Sequence, residues 1–96
     1  MAIPVKLKNG GTVTADAMTR TMTKLKALMD RNPLAVSELA YVCKEPSHKV
    51  TGQSLKTLRA MDLLQSDGQP DGDVRNVVLS AVAIGAMDMT LDSPVA

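Results

Sequence analysis

The chain has 96 residues, 45% of them apolar and 22% charged, with a formal net charge of +1. That length suits one domain whose stability an interface with a second copy would help, and the composition excludes a disordered or low-complexity chain. Tyr41 is the sole aromatic residue, which excludes single-stranded nucleic-acid binding on stacked rings and leaves Leu, Val, Ala and seven Met to fill the core.

The single Cys43 excludes an internal disulfide, and the opening MAIPVKLKNGG lacks the apolar stretch of a secretory signal. The most apolar window, Val77 to Met87, is too short to cross a bilayer, so a cytoplasmic chain without membrane contact is expected. The small net charge hides an asymmetry. Residues 44–59 carry four Lys or Arg against Glu45, whereas residues 60–96 carry Arg75 against six Asp. A nearly neutral chain can therefore still present a cationic face.

In chain order, Val5 to Thr14 has alternating runs on either side of Asn9-Gly10-Gly11, which predicts a small hairpin or a single strand within residues 1–13. A phosphate loop is the weaker reading, because the G-x-x-x-x-G-K-[ST] spacing is missing. Thr14 then offers a helix cap, and a helix is predicted to about Asp30 with Met18, Met22, Leu25, Leu28 and Met29 as its buried stripe. Asn32-Pro33 ends it. The run LAVSELAYVCK predicts a second helix that turns Leu39, Val42 and Cys43 inward, with Ser37 as a cap and the small Ala40 allowing close helix approach.

From Ser47 to Leu64 the spacing predicts a third helix. It would bury Thr51, Leu55, Leu58 and Met61 and leave His48, Lys49, Gln53, Lys56 and Arg59 to face elsewhere, with Ser47 as its cap or Thr51 if it starts later. Residues 66–73, SDGQPDGD, read as a loop. Val74 to Val82 follows as a β run, so that Leu63 to Gln65 and Val74 to Leu79 would pair as a hairpin. Met87, Met89 and Leu91 alternate with polar residues, which favours a last strand over a helix from Ser80 to Leu91.

The order Ser47-x-x-x-Thr51-x-x-x-Leu55-x-x-Leu58-x-x-x-x-Leu63-Leu64, followed by an Asp/Gly loop and a run near Arg75, resembles the recognition helix and wing of the winged helix-turn-helix superfamily, particularly its ArsR-like and MarR-like regulators. Leu34-x-Val36-x-Glu38-Leu39-Ala40 is similar to the opening of the preceding helix of that motif. Asp62 stands where relatives often have Gly, and Asp tolerates the left-handed conformation better than most residues. The resemblance covers about half the chain. It implies an α+β domain over residues 1–96: a three-helix core over 14–64, and a β-hairpin wing with an extra C-terminal strand over 65–96.

The same resemblance places His48, Lys49, Gly52, Gln53 and Lys56 on a DNA-facing surface. There Gln53 has the amide pair that reads adenine, and Lys49 and Lys56 contact guanine or phosphate. Arg20, Lys24 and Lys44 would extend that surface if the first helix packed alongside. Asp67, Asp71 and Asp73 at the wing tip would repel phosphate.

Catalysis is not expected. Cys43 falls on an apolar helix side, so an inert thiol is preferred over a nucleophile paired with His48, and the two are too few for zinc. The Asp67–Asp73 stretch lacks the ligand series of a calcium loop. No cofactor or metal is expected. The leading expectation is sequence-specific binding of double-stranded DNA as a small, homodimeric transcriptional regulator. The alternative is a winged-helix adaptor that recruits a protein partner at its acidic wing without binding DNA.

Overall fold

The computed structural model describes residues 3–7 and 10–84. Strands β1 (Pro4–Lys6) and β2 (Thr12–Thr14) pair antiparallel, with Val5 opposite Val13, and Gly10 takes the positive φ of 90° that the connecting turn requires. The expected hairpin is therefore present. Its apolar side, Leu7 and Val13, is buried in the core.

Helix α1 (Ala15–Arg31) starts where predicted: Thr14 Oγ1 accepts from the Ala17 N–H at 3.1 Å, and Asp16 lies in the first turn where the helix dipole favours it. The predicted stripe is rotated, however. Ala17, Thr21, Leu25 and Leu28 are buried, Met18 is half-buried, and Met22 and Met29 stay exposed. α2, α4 and the hairpin all pack on α1, whose buried side is Ala17, Thr21, Leu25 and Leu28, which leaves Met22 and Met29 on the flank.

Asn32 joins two helices. Its N–H closes α1 on the Leu28 carbonyl at 2.8 Å, and its Oδ1 accepts from the Ala35 N–H at 3.3 Å to cap α2 (Pro33–Lys44). Asn32 rather than Ser37 is thus the cap, and Pro33 sits in the first turn, where no intrahelical N–H partner exists to lose. Ala35, Val36, Leu39, Ala40, Val42 and Cys43 are all buried, as the sequence implied for Leu39, Ala40, Val42 and Cys43. α2 packs against α1, α3 and α4.

α3 (Gly52–Ala60) is shorter than predicted. Ser47 does not cap it but hydrogen-bonds the Glu45 carboxylate at 3.3 Å, and Thr51 holds the cap position without a side-chain cap bond. Ser54 and Leu58 face inward, Leu55 and Met61 are half-buried, and Thr51 is exposed instead of buried. The helix ends in a Schellman motif: Asp62 N–H bonds the Arg59 carbonyl at 3.0 Å and Leu63 N–H the Leu58 carbonyl at 2.9 Å. Asp62 adopts φ 57°, the left-handed state anticipated from its place in the sequence. Asp62→Gly is therefore expected to raise the unfolding free energy by about 0.5–1 kcal/mol, because relief of the Cβ clash outweighs glycine's extra unfolded-state freedom. A urea titration checks this, and a loss of stability would mean that the carboxylate itself stabilises the turn.

The largest departure from expectation is α4 (Gly72–Ala83), a fourth helix where the wing strand Val74–Leu79 was predicted. Leu63 to Gln65 is likewise not a strand. Asp71 Oδ1 accepts from the Val74 N–H at 2.8 Å, Asp73 complements the N-terminal dipole, and Val74, Val77, Val78 and Ala81 are buried at the i, i+3, i+4, i+7 spacing of a helix. Cap and spacing outweigh the strand propensity of the valines. The described residues therefore form an α+β fold of four helices and one two-stranded antiparallel hairpin, not three helices with a wing. The strand expected at Met87–Leu91 lies outside the described residues.

Candidate nucleic-acid interface

Of the five residues expected to face DNA, two lie ahead of α3 rather than on it. His48 and Lys49 belong to the connection from Glu45 to Thr51, while Gly52, Gln53 and Lys56 belong to the helix. Gly52 takes φ 64° as α3 starts, a state that suits glycine. Lys49, Gly52, Gln53 and Lys56 are exposed.

His48 departs from the expectation. Its Nε2 lies 3.0 Å from the Glu38 Oε2, and its ring stacks on Tyr41 with centroids 4.3 Å apart and planes 11° from parallel. Both His48 and Glu38 side chains are 16% exposed. The ring therefore ties the α2–α3 connection to α2 instead of presenting a base-reading edge. Sequence spacing gave no sign of this, since Glu38 and His48 are on different elements.

The helix geometry also adds a residue. With Ser54 and Leu58 inward, Lys56 sits near the middle of the outward arc of α3, between the small residues Gly52 and Ala60, with Gln53 toward one rim and Arg59 toward the other. Among the described residues, no carboxylate pairs with Lys49, Lys56 or Arg59. The arc is cationic, with two positions of little side chain that permit close approach of a flat or grooved partner. α1 packs on α2, α4 and the hairpin, whereas α3 packs on α2, so Arg20 and Lys24 ride on an element that does not flank α3.

Beside this arc residues 65–69, which the sequence assigns to a wing, fold as a tight turn. Gly68 N–H bonds the Gln65 carbonyl, Gln65 N–H the Gln69 carbonyl, and Gln69 N–H the Asp67 Oδ1, each at 2.9 Å. The Gln69 side chain links three segments: Nε2 donates to the Pro46 carbonyl and Oε1 accepts from Arg75 Nη2, both at 2.9 Å. Between this turn and the α2–α3 connection runs an open groove of about 450 Å³, lined by Lys49, Thr51, Leu55, Arg59, Asp67 and Gln69 among others. Three aspartates of the acidic region thus have local backbone duties: Asp62 in the left-handed turn, Asp67 on Gln69 and Asp71 as the α4 cap.

Burial pushes the Cys43 thiol up to about 12 from its ordinary 9.0, an effect that the nearby Arg75 charge partly offsets. A thiolate nucleophile at neutral pH is disfavoured on that ground. The sign of the linkage follows: the folded state holds the proton that the unfolded chain releases above pH 9, so stability present below pH 9 declines between pH 9 and 12. Comparison of urea midpoints for the wild type and Cys43→Ala from pH 8 to 11 is expected to show a steeper decline for the wild type, by up to about 1.4 kcal/mol per pH unit. Parallel curves would contradict the protonated thiol.

Among the described residues, no group of three or more His, Cys, Asp or Glu is arranged to hold a metal ion, and no helix is long and apolar enough to cross a membrane. Compared with known proteins, the chain matches no family model, no curated protein and no solved structure.

Proposed function

We propose that the chain binds double-stranded DNA through the outward arc of α3, in the manner of a helix-turn-helix regulator that uses no wing. The observation that carries this reading is the placement of Lys49, Gln53, Lys56 and Arg59 on one exposed surface, with no opposing carboxylate pair among the described residues. α2 and α3 pack together, joined by a connection fixed through His48, so that α3 offers its outer face to the groove of a duplex. Lysines and Arg59 hold phosphates, and Gln53 supplies the side chain able to read an adenine edge. In this reading His48 is a positioning residue and Arg59 joins the contact set. A helix of nine residues offers little contact area, which suits a homodimer on paired half-sites.

Amide chemical-shift mapping of the labelled protein with a random duplex tests the reading. Shifts are expected to concentrate at Lys49, Gly52–Lys56 and Arg59. Shifts concentrated instead on the flank of α1 carrying Met18 and Met22 would overturn it.

A further inference from the structure

The groove between α3 and the 65–69 turn borders the arc centred on Lys56 and shares Lys49 and Arg59 with it. Thr51, Leu55 and Arg59 follow one another at steps of four along its α3 wall, and Lys49 stands just ahead of them. That wall runs roughly 12 Å from Thr51 to Arg59 at 1.5 Å per residue. Phosphates of one DNA strand rise about 3.4 Å each along the helix axis but lie about twice that far apart along the strand itself, so a wall of this length faces about two of them. The half-buried Leu55, backed by the core residue Val50, gives the groove an apolar part, and Lys49 and Arg59 supply its cations. Arg59 is also held in place, since one of its N–H groups donates to the Ser66 carbonyl at 3.3 Å. Opposing them is Asp67, whose carboxylate lines the same groove while Oδ1 accepts from the Gln69 N–H.

We propose that this groove seats the phosphodiester backbone of one DNA strand, with Lys49 and Arg59 holding phosphates, the half-buried Leu55 against the sugars, and Asp67 weakening the grip. The proposal rests on the DNA-binding reading above and adds a place and a brake to it. The seat orients the strand while Gln53 and Lys56 meet the groove floor of the duplex. The negative charge of Asp67 keeps non-specific affinity low, because each phosphate that enters must approach a carboxylate.

The test uses the full chain and a labelled random duplex, read by fluorescence anisotropy across a salt series, with thermal melts to confirm folding. Asp67→Asn keeps an oxygen for the Gln69 N–H and removes the charge. It is expected to tighten binding about three- to tenfold at 50 mM salt. Arg59→Ala is expected to weaken binding about fivefold or more and to reduce the salt slope by about 1, with Arg59→Lys restoring the slope. If the wild type binds duplex but neither Asp67→Asn nor Arg59→Ala changes affinity or slope, the seat is overturned and the DNA-binding reading survives with Lys49, Gln53 and Lys56 as its contacts and without Arg59. If the wild type binds no duplex at 25 mM salt, both are overturned.

Discussion

Leu58→Ala is expected to lower the unfolding free energy by about 3 kcal/mol, the largest effect of any single truncation on α3. Leu58 is fully buried, it lies on the side of α3 that meets α2, and its carbonyl accepts the Leu63 N–H that closes the helix. Leu63 is also 1% exposed, so the apolar contact that accompanies a Schellman turn is made inside the core. Truncation removes the transfer energy of the side chain and leaves a cavity bounded by a helix end that cannot collapse freely. For a domain of this size the melting temperature should fall by roughly 15 °C. Leu34→Ala supplies the contrast. Leu34 is 57% exposed, and its loss should cost no more than about 0.5 kcal/mol. Similar costs for the two would mean that α3 is not anchored as described.

Reversing two charges should have the larger effect on binding. Lys49→Glu combined with Lys56→Glu is expected to weaken duplex binding by about 100-fold or more near 100 mM salt, since two phosphate contacts are lost and two repulsions replace them. Both lysines are exposed and neither pairs with a carboxylate among the described residues, so stability should change by less than about 0.5 kcal/mol. Lys26→Glu on the outer side of α1 is the matched control and should cost less than about threefold, through net charge alone. Equal losses from the control and the double variant would indicate a diffuse attraction without a dedicated face.

Local chemistry was readable in the sequence wherever one residue type does one job. Thr14 as a cap, the turn at Gly10, the stop at Asn32-Pro33 and the inward side of α2 all follow from backbone preferences that act within a few residues, whereas the left-handed Asp62 was legible through the winged-helix resemblance, which often has Gly there. α4 was misread because β-branched residues suit strands while their spacing suits a helix, and the preceding Asp71 decides between them only when it is seen as a cap rather than as part of a loop. The Met residues of α1 were misplaced because periodicity identifies a face but not which edge of it the neighbours cover. At the candidate site, the exposure of Gln53 and Lys56 is legible from amphipathic spacing, whereas Lys49 is exposed in the connection ahead of the helix. The recruitment of His48 by Glu38 and Tyr41, and the groove that Gln69 closes from 23 residues beyond Pro46, depend on contacts between elements that no local pattern encodes.

The most direct measurement is the affinity of the wild-type chain for random duplex DNA between 25 and 200 mM salt. Contacts from Lys49, Lys56 and Arg59 predict a straight fall of log affinity against log salt with a slope of about −3 for each bound chain. Binding with a slope near zero, or no binding at the lowest salt, would contradict the account of α3 as a surface for a polyanion.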